Sequence, residues 1–191
     1  LRTRYLAPQG PSSSCRKISI MSDVKSRVLT PQDWQLYKLA RLNSLEDAPD
    51  SFGSTYEQEV TLSDTEWQTR LDLKWRGLDA LPLIAELEGQ AVGLAWGVIH
   101  EPDTKMAHIY QMWVSPALRG KGIAKSLLGE ISTWAVNKGC ECIKLAVTTS
   151  NEAAVGFYTS SGYLPTGPLE ALRVGSALMV QPMVKRLGNT Q

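Results

Sequence analysis

The chain has few cysteines and no long apolar run. Its three cysteines in 191 residues are an odd number and too few for a disulfide framework. Cys140 and Cys142 lack the second ligand pair that a zinc site needs. No apolar stretch approaches the roughly 18 residues of a membrane span, and no apolar segment of the secretory type opens the chain. These absences predict a cytoplasmic protein with reduced thiols, no metal and no membrane association.

The chain also lacks an excess of one charge. Its 20 basic and 19 acidic residues give a formal net charge of +1. The first 20 positions hold basic residues but no acid, so the rest of the chain is slightly acidic. A protein that binds nucleic acid needs a strongly basic face. The composition therefore predicts no nucleic-acid partner.

The length fits one domain. Residues 1–20 are set apart by their content of serine, proline and arginine. This composition is typical of an organellar transit peptide, and it also fits an extension that precedes a natural start at Met21. We expect residues 1–20 to lie outside the core and residues 21–191 to form a single domain.

Periodicity and helix-start signals predict strands mixed with helices. Two N-terminal helix signals, at 30–33 and 63–66, begin helices that should end near Leu45 and Trp75. The segment between them, 46–62, has no sustained period and is predicted to be a loop. Further helices are predicted over 122–138 and 151–160. The predicted strands are 26–29, 81–87, 91–99, 105–114, 142–147 and two more before residue 187.

A glycine-rich turn after the strand 105–114 is the sharpest chemical feature. It reads Arg119-Gly120-Lys121-Gly122 and opens an amphipathic helix at Ile123. Backbone N–H groups and the positive end of the helix dipole at such a turn can hold phosphate. The glycine spacing fits neither a Walker A loop nor a dinucleotide fingerprint. The turn therefore predicts a polyphosphate site of another kind, with a purely structural loop as the alternative.

Two segments carry a resemblance to a known superfamily. Arg119-x-x-Gly122-x-Ala124 resembles the pyrophosphate loop of the GCN5-related N-acetyltransferase (GNAT) superfamily, which reads Gln/Arg-x-x-Gly-x-Gly/Ala. The segment 151–158, followed by Gly162-Tyr163, is similar to that superfamily's second CoA-contacting segment, and 48–54 resembles the acceptor-side loop of small bacterial members. The resemblance implies an α/β (α+β) fold: a mixed, mostly antiparallel sheet of about seven strands flanked by about four helices.

The resemblance also implies acetyl-CoA as co-substrate, without a metal. The backbone of Met112 and Val114 would pair with the pantetheine arm, and Asn151 would hold that arm from the next helix. The residues implied around the pyrophosphate are Arg119, Gly120, Lys121, Gly122, Ile123, Ala124 and Lys125. Tyr158 is implied to act on the departing thiolate by hydrogen bonding or protonation. A packing role for this tyrosine is the alternative.

His108 is the candidate general base. It precedes Arg119 by eleven residues, where several members of the superfamily carry a catalytic Glu or His. Strand alternation places His108 on one face with Tyr110, Met112 and Val114. An ordinary strand histidine is the alternative interpretation, and His100 is not included in the site.

The segment before the second helix is the candidate acceptor side. Phe52 and Tyr56 are predicted to shape an apolar pocket there. The carboxylates that could attract a cationic amine are Asp47, Asp50, Glu57 and Glu59. A solvated polar loop is the alternative.

The resemblance predicts an acetyl-CoA-dependent N-acetyltransferase that transfers acetyl directly to a primary amine of a small molecule. Two alternatives stay open: a protein N-terminal or lysine acetyltransferase, and a non-catalytic CoA-binding regulatory module. A homodimer is compatible with the resemblance.

Overall fold

A computed structural model describes residues 23–188. The predicted extension 1–20, with Cys15, lies outside the described residues. One sheet is formed by β1 Lys25–Val28, β2 Asp79–Leu87, β3 Gln90–Ile99, β4 Met106–Val114, β5 Cys142–Thr148, β6 Leu164–Pro165, β7 Glu170–Ala171 and β8 Met179–Arg186. Five α-helices lie entirely within the described residues: α1 Trp34–Asp47, α2 Tyr56–Val60, α3 Asp64–Leu71, α4 Ile123–Asn137 and α5 Glu152–Ser160.

The sheet is mixed and mostly antiparallel. Its strand order is β1-β2-β3-β4-β5-β8-β6, with β7 also paired to β8. Only β4 and β5 run parallel. Each face of the sheet buries its own core, one under α4 and α5 and the other under α1 and α3. The predicted fold class is therefore confirmed.

Several predicted elements differ in detail. The segment predicted as a loop contains α2, a helix of five residues that is too short to show a period. The helix α3 ends at Leu71 and not near Trp75, because Asp72 accepts the Trp75 N–H at 3.0 Å and forms a turn. Three strands, not two, follow α5, since β6 and β7 have two residues each and leave no alternation to read. The sheet has eight strands, not seven, and the helices number five, not four, within 23–188.

A β-bulge in β4 changes which side chains share a face. Gln111 has a left-handed backbone with φ 54°, and the pairing of β4 with β3 shifts register around it. Before the bulge, His108 pairs with Val98, which packs in the α1 core; after it, Val114 packs in the α4 core. The prediction that His108, Tyr110, Met112 and Val114 share one face is therefore wrong.

The strands β4 and β5 separate soon after they meet. Their pairing covers only Met106–His108 against Cys142–Lys144. Beyond His108 the strand β4 runs on to Val114 without a β5 partner. The sheet therefore opens as a wedge at this point, and the wedge begins beside His108.

The packing of α4 on β3 generates a prediction with a matched pair of glycines. A Cβ at Gly97 would lie 2.9 Å from Cζ3 of Trp134 and 3.0 Å from Cγ2 of Ile131, whereas a Cβ at Gly129 in α4 would meet nothing within 4 Å. Gly97→Ala should lower the free energy of unfolding by about 1–3 kcal/mol through overpacking. Gly129→Ala should raise it by roughly 0.5–1 kcal/mol through helix propensity. Denaturant unfolding measures both, and an unchanged Gly97→Ala would contradict the close approach of α4.

Candidate active site

Two cavities meet in the wedge. The first, which we call the wedge cavity, has a volume of about 650 Å³ and lies between β4 and β5. The second, the loop cavity, has a volume of about 540 Å³ and is lined by the turn that precedes α4. Six residues line both cavities: Ser51, Phe52, Met112, Asn151, Ala154 and Tyr158. The two cavities therefore form one groove that runs from the glycine-rich turn into the opened sheet.

The turn before α4 has the geometry of an anion site. Gly120 and Gly122 have φ values of 74° and 84°, a left-handed backbone that favours glycine. Gly122 is the N-cap of α4, and no side chain caps the N–H groups of the first turn. These N–H groups and the helix dipole remain available to a phosphate in the loop cavity. Of the two lysines predicted here, Lys125 lines this cavity and Lys121 does not.

Arg119 lines the loop cavity but does not supply mobile charge. Its Nε donates to the carbonyl of Val114 at 3.0 Å, and its guanidinium forms an ion pair with Asp47. The same Asp47 oxygen accepts the indole N–H of Trp113 at 2.8 Å. Arg119 therefore holds the turn against the end of β4 and against α1.

Tyr158 lies where the two cavities meet. The residue is 7% exposed, and its hydroxyl makes no hydrogen bond to any of the residues 23–188. Burial raises the pKa of the phenol above its ordinary value. The hydroxyl is therefore neutral and free to donate a hydrogen bond to a group in the groove.

Asn151 stabilises the start of α5. Its Oδ1 accepts the Ala154 N–H at 3.1 Å, and its Nδ2 donates to Oγ of Ser51 at 3.4 Å. Asn151 lines both cavities, and its carbonyl oxygen is already used by the cap. Asn151 thus joins α5 to the segment that follows α1.

His108 lies in the wedge cavity beside a second histidine. The ring of His100 is 5.1 Å from that of His108 and accepts or donates a 3.0 Å hydrogen bond with the Tyr110 hydroxyl. Burial lowers the pKa of His108, and the charges of His100 and Lys144 lower it further. A neutral imidazole that lines the cavity is suited to accept a proton.

Sequence reasoning missed His100 and Lys144. The hairpin register supplies a signal for His100, because Val98 pairs with His108 and His100 lies two positions after Val98. His100 is therefore a diagonal neighbour of His108 on the same face. Lys144 opposes His108 across the β4–β5 pair, a contact that no local pattern reveals. Glu170 also lines the wedge cavity, and it belongs to a strand too short to predict.

The predicted acceptor residues are only partly brought together. Phe52 is buried and lines both cavities. Tyr56 packs against the α1 core, and Glu57 is exposed in the first turn of α2, where its own N–H and the Thr55 hydroxyl lower its pKa. Neither Tyr56 nor Glu57 lines the groove, because the first packs against the α1 core and the second faces solvent.

The remaining predictions concern metals and membranes. The part of the chain from 23 to 188 holds no cluster of three or more His, Cys, Asp or Glu that could bind a metal ion. Within the same residues, no helix is both long and apolar enough to cross a bilayer. Cys140 and Cys142 are free thiols, and the first is buried.

The comparisons with known proteins agree with this geometry. A family model described as "Acetyltransferase (GNAT) family" matches residues 42–163, more than half of the chain. The matched span includes the glycine-rich turn, Asn151 and Tyr158.

Solved structures share the fold at low sequence identity. A GNAT-family acetyltransferase from Streptococcus pneumoniae superposes with a TM-score of 0.72 at 22% identity, covering 86% of this chain and 99% of that one. A ribosomal-protein-alanine N-acetyltransferase from Brucella melitensis gives 0.67 at 24% identity, with 85% and 99% covered. A spermidine N-acetyltransferase from Vibrio cholerae, in complex with CoA and spermine, gives 0.69 at 19% identity, with 87% and 96% covered.

The surroundings of His108 predict its titration. Its ring should titrate below the ordinary value of 6.5, and Lys144→Gln should raise the pKa because a positive charge is removed. In the parent protein, His108 takes up its proton at a higher pH in the unfolded chain than in the folded chain. Its contribution to the free energy of unfolding is therefore complete above pH 6.5 and is lost as the pH falls below that value. Imidazole NMR of untagged protein measures the pKa, and His100→Gln assigns the two rings. Titration of His108 at or above its ordinary value would contradict the burial.

Proposed function

Since the chain belongs to the GNAT acetyltransferase family and is an acetyl-CoA-dependent acyltransferase, we propose that it transfers acetyl directly to the primary amine of a small molecule. One observation carries this proposal: Tyr158, with a free hydroxyl, lies where the loop cavity meets the wedge cavity that contains His108. An acetyl donor bound in the loop cavity and an amine bound in the wedge cavity would meet at this tyrosine.

The residues of the groove fit acetyl-CoA. The uncapped N–H groups of α4 and Lys125 would hold its phosphates, and the unpaired stretch of β4 at Met112 would face its pantetheine arm. When bound, this co-substrate supplies a thioester carbonyl and a thiolate leaving group. Asn151 and Phe52 line the same groove between these two ends.

Two side chains are proposed to move protons. The Tyr158 hydroxyl donates to the departing sulfur; because a buried phenol is a weaker acid than a thiol, hydrogen bonding contributes as much as proton transfer. His108 takes up the proton that the ammonium loses, directly or through water. The amine nitrogen then forms the amide bond while the carbon–sulfur bond breaks, and the second proton that this nitrogen loses passes to the departing sulfur, which leaves as the thiol.

The rim of the wedge cavity favours a small acceptor. Arg173, just beyond β7, donates to the carbonyl of Phe52 at 3.0 Å and to that of Pro49 at 3.3 Å. These bonds join the segment after β7 to the segment after α1, and residues of both segments line the cavity. A volume of about 650 Å³ lies within the range of small-molecule sites.

Location in the cytoplasm and assembly as a homodimer are part of the same proposal.

Thiol release from acetyl-CoA tests the proposal, with small amines and N-terminal or lysine peptides as acceptors. Turnover with small amines but not with peptides supports the proposal. A preference for peptides contradicts it and indicates a protein acetyltransferase. Binding of acetyl-CoA by calorimetry without turnover of any acceptor indicates a CoA-binding module.

The position of Tyr158 predicts the effect of removing its hydroxyl. Tyr158→Phe should lower kcat on the order of ten- to a thousandfold and leave the affinity for acetyl-CoA nearly unchanged. Tyr163→Phe is the matched control, since that buried hydroxyl has no hydrogen-bond partner within residues 23–188 and lines neither cavity. It should keep full activity. Parent-like turnover in Tyr158→Phe would remove the residue from the reaction.

The role of His108 predicts the pH dependence. In the parent enzyme kcat/KM should rise with pH through an inflection below 6.5, where the imidazole becomes neutral. His108→Gln should lose that inflection and lower the plateau on the order of a hundredfold. His100→Gln, the control, should keep the plateau and move the inflection upward, because one neighbouring charge is removed. An unchanged profile in His108→Gln would leave His108 with a structural role.

A further inference from the structure

A third cavity, which we call the arginine cavity, adjoins the wedge cavity on the α1 and α3 side of the sheet. Its volume is about 310 Å³, and Arg70 and Arg76 line it. Ser54, Tyr110 and Gln111 line both this cavity and the wedge cavity, so the two are contiguous. The acceptor side of the groove therefore has a second compartment with its own charge.

The arginine cavity has an excess of positive charge. Glu59 is the one carboxylate that lines it within residues 23–188, and this group is buried between two arginines. Arg41 Nη2 donates to its Oε1 at 2.9 Å, and Arg70 Nη1 donates to its Oε2 at 2.6 Å. Arg76 forms no ion pair with the described part of the chain. The cavity is thus lined by two guanidinium groups and one carboxylate, and that carboxylate is also paired with Arg41.

The two lining arginines are held in place without a ligand. The guanidinium of Arg70 lies 4.8 Å above the Trp67 ring while it binds Glu59. Arg76 Nη1 donates to the backbone carbonyl of Arg70 at 3.0 Å, which holds the Arg76 guanidinium against the end of α3. Planar guanidinium groups in fixed positions are suited to bidentate recognition of a carboxylate.

An uncharged donor in the wall also lacks an acceptor in the described part of the chain. The Tyr37 hydroxyl donates to Oε1 of Gln111 at 3.1 Å, which leaves the Gln111 Nε2 without an acceptor in residues 23–188. The amide is therefore available to an acceptor oxygen of a ligand.

Resting on the proposed function, we propose that the arginine cavity binds the carboxylate of the acceptor and that the substrate is an amino carboxylic acid. Its amine lies in the wedge cavity near His108, and its carboxylate passes Tyr110 and Gln111 to reach Arg70 and Arg76. The prediction that an acidic loop attracts a cationic amine is not supported, since Asp47 and Glu59 are both taken up by arginines. A polyamine would bring a second cation to a cationic wall.

Matched pairs of acceptors test the proposal in the parent enzyme. The pairs are β-alanine with β-alaninamide and γ-aminobutyrate with its amide, and putrescine and phosphoethanolamine are added as a cationic and a phosphate-bearing amine. The carboxylates should show kcat/KM about tenfold or more above their amides and above both added amines. Equal or better use of the amides, of putrescine or of phosphoethanolamine would overturn the proposal.

Variants of Arg76 link the preference to this cavity. Arg76→Gln, at an exposed position without an ion pair in 23–188, should raise KM for the carboxylates about tenfold with kcat nearly unchanged, and Arg76→Lys should recover part of that loss. Arg76→Glu should turn the preference towards putrescine. Arg186→Gln, at an exposed arginine of β8 that lines none of the three cavities, is the control and should change nothing.

The outcomes separate this proposal from the function on which it rests. A carboxylate preference that survives in Arg76→Gln and Arg76→Glu would overturn the assignment to the arginine cavity. Turnover of amines without a preference for carboxylates overturns the proposed carboxylate site only. The proposed transfer of acetyl to small amines is then still supported. If protein that binds acetyl-CoA acetylates none of these amines, the proposed function fails and this inference fails with it.

Discussion

The pairing of β4 with β5 stops after three residue pairs, and the site depends on where it stops. His108 belongs to the last pair, so its side chain lies at the point where the sheet opens. The bulge at Gln111 then rotates the remainder of β4, which sends Trp113 to the α1 core and Val114 to the α4 core. If β4 and β5 were paired along their whole length, no groove would form between them. Without the bulge in β4, Met112 would face the opposite side of the sheet.

Ion pairs fix the segments around this groove. Asp47 at the end of α1 is joined to Arg119 in the turn before α4, two residues that are far apart in sequence. Glu59 of α2 is joined to Arg41 of α1 and Arg70 of α3, and its pKa is lowered although burial opposes the charge. Removal of one partner from such a buried group leaves an uncompensated charge, which is strongly destabilising. These carboxylates therefore position helices, and arginines offset their charge.

Local signals account for the part of the site that could be predicted from sequence. The glycines of the turn, the start of α4 and the Asn151 cap each follow from residues within one helical turn, and they place Tyr158 on α5. The bulge has no such signal, because Gln111 is not a glycine and the strand pattern reads through it. The partners of Asp47 and Glu59 also depend on tertiary contacts that a single sequence does not reveal. Sequence reasoning therefore predicted the starts of α4 and α5 better than the tertiary contacts of β4, α1 and α2.

The charges around the reacting centre act on both ends of the proton transfer. The charges of Lys144 and His100 lower the pKa of His108. Under the proposed function, these charges and those of the arginine cavity also lower the pKa of the acceptor's ammonium, because both groups carry the proton as a cation. The energy of proton transfer depends on the difference between these two pKa values. For a lysine-type amine and a histidine this difference is about four units, or roughly 5 kcal/mol, in water. A cationic field that lowers both values leaves the difference little changed, yet it raises the fraction of acceptor that is already neutral. The positive wall would thus favour the nucleophilic form of the amine while it binds the carboxylate at the other end.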